Sequence, residues 1–246
     1  MRSRVSKLML LESNGSFYKP VPLEDSAPGP KTIVGGDTSL GYYGWWNDTT
    51  DSSFINQSDI ENATGLSNEG IDLDQFDGWL KFKRNGKFVY ISKKPIRSRM
   101  SWDAIYLAGA VFGTNDIGAY GVGATIENYH AGGSALQNTT VTKNGHSYKI
   151  RLITGVEENP SNITGGEWND LIYRIHESNG TWDTFSDSDI HVSEMHATIC
   201  QETHSTSFYP ERRVLRGQNG LESISYMISS TDNNQANRWR PVLEYI

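Results

Sequence analysis

Residues 79–92 read WLKFKRNGKFVYIS, and this stretch decides how the rest of the chain is interpreted. Apolar and polar side chains alternate on both sides of Asn85-Gly86, which is the period of a β-strand with one apolar face. Asn-Gly is the dipeptide that best fits the two left-handed positions of a tight hairpin turn. The pattern therefore predicts an antiparallel hairpin, against which other segments must pack.

Further turn and cap signals divide the sequence into short elements. A second Asn-Gly turn predicts a hairpin over 140–152. Residues 101–109 carry a serine cap and a glycine stop, which are typical of a helix, and residues 58–65 form a shorter helix that ends at a glycine. Apolar residues at i, i+3, i+4 and i+7 predict another helix over 166–176. Short strands are expected at 197–202, 213–216, 223–229 and 238–245, while 33–36 and 40–46 are apolar segments broken by glycine.

The pattern sorts the chain into an arm, a linker and one main body. Residues 1–23 alternate around an Asn-Gly turn and predict a small N-terminal β-hairpin arm, whose return strand Pro20 and Pro22 restrict to a sheet edge. Residues 24–30 are a linker by their Pro-Gly-Pro composition. Residues 31–246 form the body, and its many short antiparallel strands, two or three short helices and long loops predict an α+β fold.

Composition excludes several classes of protein. The chain has 246 residues and a net charge of -7, which disfavours binding to nucleic acid or to an anionic membrane surface. Aromatic residues make up 11% and exclude a disordered chain. A single cysteine excludes an intrachain disulfide. No apolar run is long enough for membrane insertion, and the run at residues 8–11 is too short for a signal peptide, so we expect assembly in a cytoplasm.

The sequence predicts no metal site and no cofactor. His196, Cys200 and His204 are four residues apart, but on the expected strand they would spread over about 26 Å, too far for one ion. The acidic segment 72–78 lacks the glutamate that closes a calcium loop. There is no G-x-S-x-G elbow, P-loop or dinucleotide fingerprint, although a Ser/His/Asp triad stays open. We therefore expect a non-enzymatic protein.

Three polar segments, 114–135, 155–166 and 179–194, predict long loops with aromatic rings among small polar residues. This composition suits recognition of sugars or proteins, because rigid rings lose little conformational entropy on binding. The alternative, in which the rings pack locally within ordinary surface loops, is equally compatible with the pattern. The candidate contact residues are Tyr120, Tyr129, Trp182 and Phe185.

Eight short motifs follow one another in a fixed order through the body. They include Gly35-Gly36-Asp37, Trp79-Leu80-Lys81-Phe82, Gly166-Glu167-Trp168-Asn169, Arg213-Val214-Leu215-Arg216-Gly217 and Trp239-Arg240-Pro241-Val242-Leu243-Glu244. This series resembles uncharacterised virion and tail-fibre-associated proteins of tailed bacteriophages. Its C-terminal part also resembles the C-type-lectin-like fold of formylglycine-generating enzymes, in which an E-W helix, an R-V-x-R-G strand and a closing strand recur in this order. The resemblance covers roughly residues 31–246.

The resemblance implies a C-type-lectin-like domain and a non-enzymatic structural component of a tailed phage virion. A tail-fibre, receptor-binding or adhesin-type module is the expected role, since phage receptor-binding proteins use this fold. The lone Cys200 departs from the cysteine pair that formylglycine-generating enzymes need, which removes their activity from the expectation. Two alternatives remain, a capsid decoration (head fibre) protein without a receptor role, and a glycan-acting or metal-dependent hydrolase.

The same interpretation assigns partners and core residues. Residues 1–23 are expected to dock onto other virion proteins by strand addition, within a homo-oligomer in the particle, and the loops to contact a host surface glycan or protein. Glu167, Glu202 and Glu244 are candidate ion-pair partners for Arg216 and Arg240, because bidentate arginine–carboxylate pairs can tie loops together. The expected core residues are Trp102, Glu167, Trp168, Glu202, Arg216, Trp239, Arg240 and Glu244.

Overall fold

A computed structural model describes residues 26–47, 54–118, 134–156, 165–179, 181–193, 195–203, 212–227 and 229–246. The predicted arm, the middle of the 114–135 and 155–166 loops, Tyr120 and Tyr129 lie outside the described residues. Within the described ranges, mostly antiparallel strands combine with a few short helices, so the fold is α+β as predicted. In this part of the chain no helix has the length and apolar character required to cross a membrane.

Thirteen strands and several short helices make up the described body. The strands are β1 (Gly35–Gly36), β2 (Leu40–Trp46), β3 (Ile71–Asp72), β4 (Trp79–Arg84), β5 (Lys87–Ser92), β6 (Arg97–Ser98), β7 (Thr140–Lys143), β8 (His146–Arg151), β9 (Ala197–Thr203), β10 (Arg213–Arg216), β11 (Ile224–Tyr226), β12 (Asn237–Trp239) and β13 (Val242–Tyr245). The helices are α1 (Gln57–Thr64), a 3₁₀ turn (Leu66–Asn68), α2 (Trp102–Leu107), a π-helix (Trp168–Ile172) that continues as α3 (Tyr173–Ile175), and α4 (Asp187–Ile190).

Both predicted hairpins are confirmed and form parts of a seven-stranded antiparallel sheet. Its order is β1-β2-β4-β5-β13-β8-β7. The turns have the expected left-handed residues, with φ of 52° and 79° at Asn85 and Gly86 and 51° and 80° at Asn144 and Gly145. The last strand, β13, lies between β5 and β8 and joins the two hairpins into one sheet.

A six-stranded sheet stands beside it in the order β11-β10-β9-β12-β6-β3. Its strands pair antiparallel except β9 with β12, which run parallel. Two of its strands, β3 and β6, have only two residues each and are not predicted from the sequence. Strands this short lack a readable alternation, because period-2 patterning needs at least four residues.

The helix caps follow the local sequence signals. The Ser101 hydroxyl accepts a hydrogen bond of 3.1 Å from the Ala104 N–H at the start of α2, and Gly109 has φ +70° just beyond its end. The Asn56 side chain caps α1, which ends at Gly65. The third predicted helix is present, but Trp168–Ile172 is wound as a π-helix, a variant that apolar spacing does not distinguish from an α-helix.

The centre of the seven-stranded sheet is buried on both faces. Phe88 and Tyr90 of β5 pack into one apolar cluster with α1, α2 and Trp239. Val89 and Ile91 alternate to the other face, where the second cluster includes Trp168 and the π-helix. The three predicted core tryptophans, Trp102, Trp168 and Trp239, are all buried.

The described part of the predicted linker packs onto this sheet. Ala27 is completely buried, and the Tyr90 hydroxyl donates to the Pro28 carbonyl at 2.7 Å. The buried Lys81 ammonium donates to the carbonyls of Ala27 and Pro30 at 3.1 and 2.8 Å. Residues 26–30 are therefore anchored to the body rather than free, because β4 and β5 supply donors for their backbone carbonyls.

Arg151, which the sequence analysis did not single out, is the centre of the buried ion pairs. Its guanidinium donates to both carboxylate oxygens of Glu167, at 2.7 and 2.5 Å, and to Glu244 at 3.2 Å. Burial works to raise the pKa of Glu167, but the Arg151 charge and hydrogen bonds outweigh it and hold that pKa below its usual value. Together, Arg151, Glu167 and Glu244 connect β8, the start of the π-helix and β13.

The predicted pairing of Glu167 and Glu244 with Arg216 and Arg240 is therefore corrected. Arg240 is fully buried and donates to the carbonyls of Ser92, Lys93 and Ile190 and to the Thr198 hydroxyl. Among the described residues no carboxylate contacts Arg240. Arg216 donates to the Val156 carbonyl and the Asn169 side chain, while Glu202 accepts from the Gly155 N–H at 2.8 Å. Buried carbonyls at irregular loop ends take the place of the expected carboxylates.

Replacing Arg151 with Met should lower the free energy of unfolding by about 3–5 kcal/mol, because Glu167 would remain buried without its cation. Urea denaturation followed by tryptophan fluorescence measures the change. Lys87→Met is the matched control: Lys87 also pairs with Glu244, but 60% of its side chain is exposed, so the cost should stay under about 1 kcal/mol. Equal losses in the two variants would contradict a dominant role for Arg151.

Candidate functional site

The structure places two of the four predicted contact residues. Trp182 is only 9% exposed and belongs to the second apolar cluster, with its ring centroid 6.5 Å from that of Phe82. Its indole lies so close to Gly35 that a Cβ there would come within 2.4 Å of the ring. Trp182 thus fills the interior beneath the loop, whereas Phe185 is half-buried at the surface.

Phe185 contacts an exposed tryptophan that the sequence analysis did not select. Trp45, near the end of β2, is 38% exposed, and the Phe185 ring meets it edge-on with centroids 6.3 Å apart. Adjacent residues of a strand point to opposite faces, so Trp46 packs inward against Phe54 while Trp45 remains at the rim. The paired tryptophans at the end of the apolar segment 40–46 were the signal that could have identified it.

The Trp45 indole is held in place from several sides. Its Nε1 donates to the Asp77 carbonyl at 2.7 Å. The Lys93 ammonium lies 3.4 Å from the ring centroid and pairs with the Asp77 carboxylate at 3.1 Å. Lys93 is itself only 4% exposed, so this cation–π contact is shielded from water and strengthened. We call Trp45, Asp77, Lys93, Lys94 and Phe185 the Trp45 platform.

The Trp45 platform combines a fixed aromatic ring with partly exposed polar groups. Side chains of Asp77 and Lys94 are 25% and 27% exposed and lie 3.7 Å apart beside the indole. An aromatic ring offers contact area to the C–H face of a sugar, and a carboxylate and an ammonium can accept and donate hydrogen bonds to its hydroxyls. The arrangement is therefore suited to binding a neutral polyol ring.

Of the candidate metal ligands, the structure describes His196 and Cys200. Cys200 is buried in β9, where burial raises the pKa of its thiol well above the ordinary value. His204 lies outside the described residues, and within them no group of three His, Cys, Asp or Glu side chains is arranged to hold a metal ion. In the acidic segment 72–78, Asp72 lies near Arg97 and Asp77 pairs with Lys93.

Two histidines meet beside the Trp45 platform in a positively charged environment. The rings of His191 and His196 have centroids 4.1 Å apart. Burial, then His196 and the nearby Arg238, Arg240 and Lys94 charges, lower the pKa of His191 to about 4. His191 is therefore neutral in the folded protein near neutral pH.

Comparison with protein-family models, with curated proteins and with solved structures finds no match to this chain.

Acid should destabilise the protein through His191. Between pH 6.5, its ordinary pKa, and about 4, the unfolded chain binds the proton that the folded protein excludes. The contribution of His191 to the free energy of unfolding should thus be fully present above pH 6.5. It should be lost as the pH decreases through that window. Thermal melts at pH 7.0 and 4.5 should show a smaller decrease for His191→Asn, a residue that tolerates the left-handed backbone at this position (φ 56°). A variant that loses as much stability as the wild type would rule out His191 as the source.

Proposed function

We propose that the protein is a structural component of a tailed phage virion that acts by binding, as a tail-fibre receptor-binding or adhesin-type module. The body would be a C-type-lectin-like domain, and its ligand a glycan of the host surface. The observation that carries the binding role is the Trp45 platform, in which an exposed indole is fixed by its own hydrogen bond and by a buried lysine. A preorganised ring loses little entropy when a ligand packs on it.

The order of the motifs supports the C-type-lectin-like assignment. The segment around Glu167-Trp168 is helical, Arg213–Arg216 is a strand, and the chain closes on the strand Val242–Tyr245. This is the helix, strand and closing-strand order that the resemblance implies. The motifs also supply buried side chains, including Trp168, Arg216 and Arg240. These motifs therefore stabilise the fold. The surface residues that they hold in place would determine which ligand binds.

The position of the protein in the virus particle distinguishes the receptor-binding role from the alternative of a capsid decoration protein. Antibodies against the chain should label purified tails rather than DNA-filled heads. Labelling of heads alone would favour a capsid decoration protein. If the antibodies labelled neither fraction, the virion proposal would be contradicted.

Trp45→Ala should weaken binding of the purified protein to host cell envelopes by about tenfold or more, because a central aromatic contact is typically a hot spot. Sedimentation of fluorescently labelled protein with envelopes measures the dissociation constant. Trp45→Phe retains a ring of smaller area and should lose less, while near-ultraviolet circular dichroism verifies that both variants are folded.

Leu136→Ala is the control for loss of an exposed apolar side chain, since Leu136 is 56% exposed outside the Trp45 platform. It should bind envelopes like the wild type. If Trp45→Ala also bound like the wild type, the platform would not be the receptor contact.

A further inference from the structure

A chain of three polar side chains borders an open cavity of about 560 Å³. The Ser178 hydroxyl lies 2.5 Å from His176 Nδ1, and His176 Nε2 lies 3.0 Å from the Asp187 carboxylate. His176 is 4% exposed, whereas Ser178 and Asp187 are exposed. The hydroxyl is thus accessible to a ligand in the cavity, while the imidazole between the two groups is shielded.

The backbone brings these three residues together by closing the loop between them. His176 directly follows α3, and Asp187 is the first residue of α4. The Glu177 N–H donates to the Phe185 carbonyl at 2.9 Å, and the Phe185 N–H donates to the Ile175 carbonyl at 3.1 Å. The Trp182 ring fills the interior under the loop. The hydrogen-bond chain is therefore built on a fixed frame, as a reactive site requires.

The hydrogen bonds determine the tautomer of His176. Both the hydroxyl and the backbone N–H of Ser178 are directed at Nδ1, at 2.5 and 3.1 Å, so Nδ1 is the acceptor. The ring hydrogen must then be on Nε2, where it is donated to Asp187. A serine hydroxyl, a neutral imidazole and a carboxylate in this order are the parts of an acyl-transfer triad, here with the two ring nitrogens exchanged.

We propose that Ser178 is the nucleophile of a hydrolytic site for neutral carboxylic esters, with His176 as its general base and Asp187 as a positioning residue. The cavity is also lined by Asn219 and Glu222. Asp187 and Glu222 line the cavity and no Lys or Arg is among its described lining residues, which disfavours an anionic substrate. The polar wall suits the ester of a polyol, such as an O-acylated sugar. Asn219 and Gly220 line the same cavity, and an amide or backbone N–H there would be the donor that a developing oxyanion needs.

The reaction is balanced with water as the second substrate. As Ser178 Oγ bonds to the ester carbonyl carbon, its proton moves to His176 Nδ1. The carbon–oxygen bond to the alcohol breaks, and the alcohol leaves with that proton, which produces an acyl-serine. Water then attacks the acyl-serine and gives its proton to His176, and the carboxylic acid is released as Ser178 is reprotonated. Asp187 stabilises the imidazolium that forms in each half.

This activity goes beyond attachment. The sequence analysis kept a glycan-acting hydrolase only as an alternative and named no nucleophile, because there is no G-x-S-x-G elbow to locate one. Ser178 follows its base by only two residues in a turn, and the carboxylate comes from beyond the next loop. The expectation of a non-enzymatic protein predicts no hydrolysis, whereas the geometry of this cavity predicts hydrolysis at Ser178. One experiment distinguishes these two predictions, and its result does not depend on whether a ligand binds at Trp45.

The test treats the full chain with a fluorophosphonate probe and, separately, measures hydrolysis of p-nitrophenyl acetate. The wild type should be phosphonylated at Ser178, as located by peptide mass spectrometry. Ser178→Ala should lose the label and reduce turnover by about 1,000-fold. Asp187→Asn should lower kcat by about 100-fold with KM unchanged, a split that a structural role for an exposed carboxylate does not produce.

Ser193→Ala provides the matched control. The Ser193 hydroxyl lies 2.7 Å from His196 Nδ1, so it forms a second Ser–His pair, and no carboxylate among the described residues contacts this His196. The variant should retain full labelling and turnover. Because the Ser178 side chain is exposed, Ser178→Ala should melt at the wild-type temperature. Absence of label from Ser178, or turnover that survives Ser178→Ala or is equally lost in Ser193→Ala, overturns the proposal.

Discussion

The bidentate contact between Arg151 and Glu167 is the constraint on which the described body depends. It joins the end of β8 to the start of the π-helix, and through Glu244 it also binds β13, which unites the two hairpins. A buried carboxylate is tolerated only when a cation and hydrogen bonds replace water, and Arg151 and the Thr154 N–H supply both. The helix fixed in this way leads directly to His176, so the geometry of the cavity begins with this pair.

Local features of the fold could be predicted from the sequence, and long-range partners could not. The Asn-Gly turns and the Ser101 cap depend on backbone conformations that neighbouring residues determine, so both hairpins and α2 were found. The partner of Glu167 depends on which strand end faces the helix, and Arg151 looked like an ordinary polar position in an alternating strand. The partner of Lys81 was likewise not predictable. The alternation in β4 indicates which face of the sheet Lys81 is on, but not that residues 26–30 cover that face.

In the candidate sites, too, local features could be predicted from the sequence and long-range contacts could not. Composition selected aromatic residues in polar loops, but burial separates Trp182 from an exposed ring such as Trp45, and burial is decided by tertiary packing. The contact of Ser178 with His176 is local and two residues long. Asp187 joins them only because the loop between closes on Phe185, a pairing that no motif in the sequence specifies.

The position of β13 has a consequence for biosynthesis. Strands β1, β2, β4 and β5 form one part of the large sheet and β7 and β8 the other, and among the described strands β13 alone bridges them. While the ribosome has not yet released those residues, each part presents a bare strand edge to its surroundings, and such edges invite pairing with other chains. The two parts can therefore join into one sheet only after β13 has emerged, so closure of the sheet follows the formation of each hairpin.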